Sequence, residues 1–217
     1  MKQSNIISHA MNDSSAWALV GSNLVTVALA VILKWGLLEI LWIYWSQSVI
    51  IGIFNVVRIL SLKEFSTTGL TMGDKPVPET PAGKRSVAGF FAFHYGFFHF
   101  GYMIFLFTPM NMGNQDTTAW ASALGTVSPL AVILTAGLFF ANHLYSYRFN
   151  KESDTEKPNL GTLMFFPYAR IIPMHLIIMF GATTGSGALV LFLLLKTAAD
   201  VIMHAVEHAK FRAPDDF

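Results

Sequence analysis

The chain contains no cysteine. Disulfides and thiolate metal sites are therefore excluded, and any metal must be held by His, Asp or Glu. Charge is also scarce. Asp, Glu, Lys and Arg make up 12% of the 217 residues, against about 25% in a soluble domain. The net charge of +1 comes with no basic stripe, which argues against nucleic acid as a partner. The N-terminal stretch "MKQSNIISHAMNDSSAW" is polar. It lacks the charged-then-apolar layout of a signal peptide, so no cleaved leader is expected. There is no internal repeat, and the two halves show no inverted similarity, which weakens a repeat-built transporter reading.

What is abundant is apolar. Hydrophobic residues make up 53% of the chain and the mean hydropathy is +0.51. The long apolar runs predict an all-α fold, a polytopic membrane helix bundle forming a single domain over 1–217, with the lipid bilayer as its surroundings. Six spans are expected: Trp17–Leu33, Leu38–Leu60, Val87–Phe107, Pro129–Tyr147, Met164–Ala182 and Ala188–His208. Each is near the ~20 residues that cross ~30 Å of hydrocarbon. Asp13 to Ser15 offer caps for the first. At the fourth, Ser128 is placed to cap and Pro129 to take the first helical position.

Lys63, Lys75, Lys84 and Arg85 lie between the second and third spans, Arg148, Lys151 and Lys157 after the fourth, and Lys210 and Arg212 after the sixth. Basic loops stay cytoplasmic, so both termini are expected in the cytoplasm and the protein in the inner (plasma) membrane. The loop 61–86, with "GDKPVPETPAGK", reads as a flexible cytoplasmic linker. On the outer side, "DTTAWASAL" is either a short interfacial helix anchored by Trp120 or an irregular loop.

Intramembrane polar residues are costly and usually face the bundle interior. Counted from the cytoplasmic ends at about 1.5 Å per residue, Asn55, His94, Asn142, His143, His175, Asp200 and His204 fall in one layer roughly 6–16 Å deep. Five spans contribute to that layer. Lys196, Asp200, His204 and His208 are four apart and share one helix face. Two readings follow. In one, Asp200 and His204 ligate a divalent metal, Zn foremost, with His175, His143 and His94 completing the set. In the other, Lys196 neutralises Asp200 and the histidines serve as hydrogen-bonding glue. His99, nearer mid-membrane, is placed to pair with Gln47 or Ser46. Gly96 and Gly101 would let helices approach closely. Ser48 and Asn55 share a face that should look inward. Pro173 should bend the fifth span beside His175. A Ser186–His204 protease dyad is excluded, because 18 residues of one helix separate them by about 27 Å.

The stretches "YWSQSVIIGIFNVVRIL", "HYGFFH", "FFPYARIIPMH" and "KTAADVIMHAVEH" resemble the spaced signatures of a prokaryotic six-helix membrane family of unknown function. The resemblance covers nearly the whole chain and implies no activity. "HAVEH", with an intramembrane Asp and further His, is similar to the site of the alkaline ceramidase and adiponectin-receptor superfamily. That similarity implies a zinc site near the cytoplasmic leaflet, with His204 and His208 as its terminal pair. The chain departs from the superfamily in having six expected spans instead of seven and in placing Asp200 on the same helix as that pair.

The functional expectation is a metal-dependent hydrolase of a lipid-like substrate, in which the metal acidifies a bound water and Asp200 is ligand or catalytic base. The alternatives are a non-enzymatic proton- or cation-binding transporter or sensor, and a structural membrane protein.

Overall fold

The computed structural model describes Ala28, Ile32 and residues 35–111, 127–149, 157–184 and 187–211, with helical backbone alone at 108–111, 142, 146, 149, 181–184 and 202–211. The expected first span and the outer "DTTAWASAL" segment lie outside the described residues, apart from Ala28 and Ile32, which are helical. The elements run α1 (Leu37–Ser61), β1 (Thr71–Met72), β2 (Lys75–Pro76), α2 (Pro81–Asn111), α3 (Pro129–Phe149), α4 (Leu160–Phe165), a 3₁₀ segment (Phe166–Arg170), α5 (Ile171–Thr184) and α6 (Ala188–Phe211).

Among the described residues, three stretches are long and apolar enough to cross a membrane: Leu37–Ser61, Pro81–Phe107 and Leu160–Phe180. Pro129–Tyr145 is a shorter apolar helix. The protein is therefore a mostly helical membrane protein. Among the described residues, 38–111, 127–149 and 157–168 form one compact unit, and Ala28, Ile32, 35–37, 169–184 and 187–211 belong to another.

In the first unit, α1 buries Leu41, Tyr44, Ser48, Gly52 and Ile59, spaced three or four residues apart except across the half-buried Asn55. On α2 the buried stripe is Val87, Phe91, Tyr95, His99, Tyr102 and Leu106. Such spacing is one face of a 3.6-residue helix. The stripes meet antiparallel. Trp42 packs on Phe107 with ring centroids 4.8 Å apart, the Trp45 indole N–H donates to the His99 carbonyl at 2.8 Å, and the Ser48 and Tyr95 hydroxyls are 3.0 Å apart. Gly52 makes room for the Tyr95 ring. A Cβ there would lie 2.6 Å from Cε1 of Tyr95. Gly96 and Gly101 have nothing within contact of such a Cβ, so the glycine that fits a facing side chain at this seam is on α1.

The segment expected to be a flexible linker is folded into a small surface lobe. Gly73 and Asp74 have φ of 57° and 61°. Two successive positive φ values make the tight turn that joins two-residue hairpins, and Thr71 pairs with Pro76 across it. Thr67 Oγ1 donates to the Val77 carbonyl at 2.6 Å and Val77 N–H to Leu70 at 3.0 Å, while Phe65, Leu70 and Val77 are buried beneath. Lys84 Nζ donates to the Leu62 carbonyl at 2.6 Å, placing a cation at the C-terminal end of α1, where the helix dipole favours it.

The third helix begins earlier than Val87 because Thr80 caps it, accepting from Gly83 N–H at 3.2 Å, and Pro81 takes the first position. At α3 the expected arrangement is present: Ser128 Oγ accepts from Ala131 N–H at 3.3 Å and the helix starts at Pro129.

The lobe docks on the entry to α4. Ser66 N–H donates to the Pro158 carbonyl at 2.9 Å, and Leu160 N–H to the Ser66 carbonyl at 2.8 Å. Asn159 joins the two regions. Its Oδ1 caps α4 by accepting from Thr162 N–H, and its Nδ2 donates to the Thr68 carbonyl at 3.0 Å. Outside the pairing, Lys157 Nζ lies 2.6 Å from Glu79 Oε2. The Lys157 ammonium, aided by the Thr67 N–H, holds the Glu79 carboxyl below its ordinary pKa.

The expected fifth span, Met164–Ala182, corresponds to the apolar stretch Leu160–Phe180, within which the α-helix passes through a 3₁₀ segment. Pro167 has no N–H for the Leu163 carbonyl four residues back, and helix α4 gives way to the 3₁₀ segment there. The orphaned carbonyl is satisfied from α1, where Asn55 Nδ2 donates to Leu163 O at 3.0 Å. Pro173 sits in the first turn of α5, where a missing N–H is tolerated.

Candidate functional site

The polar residues expected to converge are divided between the two units. His94 and His143 belong to the first, and His175, Asp200 and His204 to the second. Among the described residues no three His, Asp or Glu side chains are grouped as a metal would need. The side chains of Asn142, His204 and His208 lie outside that description.

In the first unit, His94 projects from α2 and is exposed. Its Nδ1 is 2.8 Å from the Tyr168 hydroxyl. Phe90 stacks on the imidazole at 5.3 Å, and Phe98 meets it edge-on at 5.2 Å. His143, on α3, lies between Phe139, stacked at 4.3 Å, and Phe54 at 5.8 Å.

His99 is the buried histidine, only 4% exposed. Its Nδ1 is 2.9 Å from the Tyr95 carbonyl one turn back. A carbonyl can only accept, so Nδ1 carries the proton. The expected pairing with Gln47 or Ser46 is not what forms: Ser46 Oγ donates instead to the Trp42 carbonyl of its own helix at 2.9 Å. The adjacent seam is ordered by the same logic. Tyr95 Oη donates to the Ser48 carbonyl at 3.1 Å, which leaves the Ser48 hydroxyl as donor to Tyr95. Trp42 is the exception, its buried indole N–H having no acceptor among the described residues.

In the second unit α5 carries His175, exposed, and α6 carries Lys196 and Asp200. Lys196 Nζ lies 2.6 Å from Asp200 Oδ2, with the two side chains 21% and 10% exposed. The structure pairs Asp200 with Lys196, one of the partners the sequence offered it. The partners are one helical turn apart on the same face. Phe192 and Leu193, on the turn before them, are buried. Thr197 makes no tertiary demand, donating to the Leu193 carbonyl at 2.8 Å. Chemically the pair is a carboxylate and an ammonium of zero net charge, which the addition of one proton or the approach of one cation would unbalance.

Tyr168 and Asn159 were not singled out by sequence reasoning. Tyr168 gave no signal beyond its nearness to Pro167. Asn159 stands directly before an apolar run, the position a helix cap occupies.

Residues 6–216 match a family of unknown function, DUF6498. No curated protein and no solved structure matches the chain.

Proposed function

Because the chain belongs to DUF6498, a family of unknown function, its role must be argued from its own residues, and we propose that it binds a proton or cation within the membrane as a transporter or sensor. In this reading it is a six-span protein of the inner (plasma) membrane with both termini cytoplasmic, and Lys196 and Asp200 form the responsive centre.

The observation that carries the reading is the 2.6 Å contact between Lys196 and Asp200 on α6. A neutral pair tolerates a low-dielectric setting far better than either ion alone. Protonating Asp200 removes the attraction that holds the Lys196 ammonium. A cation binding Asp200 displaces that ammonium in the same way. Either event changes the local charge by one and biases the helix toward another arrangement.

Metal-dependent hydrolysis of a lipid-like substrate asks more of the same residues. Asp200 would have to exchange its ammonium for Zn, joined by His94, His143, His175 and His204.

The test is flux in proteoliposomes under an imposed pH or cation gradient. Wild type should carry a flux, or show a pH-dependent conformational signal, that Asp200→Asn abolishes. A protein inert in both assays, or one indifferent to Asp200→Asn, overturns the reading. Stoichiometric zinc lost in His175→Ala and His204→Ala would favour the hydrolase instead.

A further inference from the structure

The end of the first unit that carries the lobe holds more cations than it has partners for. Arg58, Lys63, Lys84, Arg85 and Lys157 stand there against Glu64 and Glu79, and the hairpin tip adds one charge of each sign, Asp74 and Lys75. Glu79 is matched by Lys157. Lys84 is turned into the lobe, its Nζ 2.6 Å from the Leu62 carbonyl and 5.7 Å from the centre of the Phe65 ring. Lys63 and Arg85 are exposed and make no hydrogen bond or ion pair with the described residues. Glu64, the carboxylate next to Lys63, is exposed and likewise in no ion pair among them.

The apolar surface below fixes the level of these two cations. The exposed large apolar residues of α1 end at Ile53, Val57 and Leu60, and those of α2 begin at Phe90. Both helices are long and apolar enough to cross a membrane, so the hydrocarbon ends where those stripes end. Lys63 is three residues beyond Leu60, and Arg85 is five residues before Phe90, about 7.5 Å along the helix. The bond from Lys84 to the Leu62 carbonyl sets the end of α1 beside the start of α2. The headgroup layer is about 5–8 Å thick on each side of the hydrocarbon. Lys63 and Arg85 therefore stand among lipid phosphates. A guanidinium forks onto two phosphate oxygens, an ammonium adds a point charge, and the surplus of positive charge disfavours a headgroup that carries its own cation.

We propose that Lys63 and Arg85 bind the phosphate of an anionic phospholipid, with its acyl chains against the apolar stripes that end at Leu60 and Phe90. The lobe is then a headgroup-selective surface. The proposal rests on the membrane placement of α1 and α2 and is independent of the Lys196–Asp200 reading.

The chain has no cysteine, so Ser86→Cys, at an exposed position beside Arg85, takes a single environment-sensitive fluorophore. The labelled full chain is placed in phosphatidylcholine nanodiscs in which phosphatidylglycerol replaces the host lipid stepwise. The label should respond saturably, with its midpoint at a low mole fraction, and the midpoint should rise with salt, which screens exposed charges. Arg85→Gln and Lys63→Gln should each raise the midpoint about fivefold, the worth of one cation at an anionic surface. Arg85→Lys, which keeps the charge, should stay near wild type. A response that never saturates, or a midpoint equal in wild type and both Gln variants, overturns the proposal, because the cations then serve only to orient the helices. So does a response abolished by millimolar inorganic phosphate but not by sodium chloride of equal ionic strength, since the site then takes free phosphate.

Discussion

The α1–α2 seam and helix α6 each place polar groups in apolar surroundings, and they satisfy them in opposite ways. At the seam the partners come from distant parts of the chain. Trp45 reaches the His99 carbonyl, Ser48 reaches Tyr95, and Asn55 reaches Leu163, 108 residues away. On α6, Lys196 and Asp200 are four residues apart and satisfy each other. The first kind of bond specifies which helices meet. The second is made within one helix, where a carboxylate and an ammonium neutralise each other, and it is the contact on which the functional proposal rests.

The sharpest way to break that comparison is to remove one member of the local pair. Lys196→Met strands the Asp200 carboxylate, and the loss should be about 3–5 kcal/mol, the cost of an uncompensated buried charge. Lys196→Met with Asp200→Leu should recover most of it. Unfolding in mixed detergent micelles measures both. A double variant as unstable as the single one would mean the pair serves the fold after all.

The long-range kind of bond is tested at Asn55. Asn55→Ala should cost about 1–3 kcal/mol, because it leaves the Leu163 carbonyl unpaired. In a Pro167→Ala background the chain itself can supply an N–H, and the same substitution should cost less. A coupling of about 0.5–3 kcal/mol between the two sites is expected from a double-mutant cycle. Strict additivity would detach the asparagine from the proline.

The smallest effect belongs to the surface pair Glu79–Lys157. The folded carboxyl is held below its ordinary pKa, first by Lys157. Its contribution is therefore complete above the unfolded value of about 4.3 and fades as the pH falls through the lower folded value. Amide exchange of the Thr71–Pro76 hairpin should accelerate slightly in that acid range. Glu79→Gln should flatten the dependence.

Local chemistry was readable from sequence where donor and acceptor are neighbours. Ser128 before Pro129 announced the start of α3, and the spacing of Ser48 and Asn55 announced an inward face. The same signature stands at Thr80–Pro81, yet the basic, proline-rich composition around it suggested a loop, and the start of α2 was placed six residues late. The lobe was hidden because its core is only Phe65, Leu70 and Val77, buried partly by a segment whose partner lies beyond residue 157. The break at Phe166–Arg170 was obscured by continuous hydrophobicity from Leu160 to Phe180. Depth placed His94 and Asp200 in one layer. It carried no information about direction around the helix, which decides that His94 meets Tyr168.

The junction between the lobe and α4 also sets an order of events during synthesis. Asn159 donates to the Thr68 carbonyl across 91 residues of chain. The hairpin at Gly73 can close as soon as it emerges, because its contacts are local. Its docking must wait until α2, α3 and the turn before α4 have been made. Closing so long a loop is slow relative to forming a helix or hairpin. The lobe thus completes its contacts only after most of the chain exists, and Asn159 marks the moment at which the early and late parts of the protein are joined.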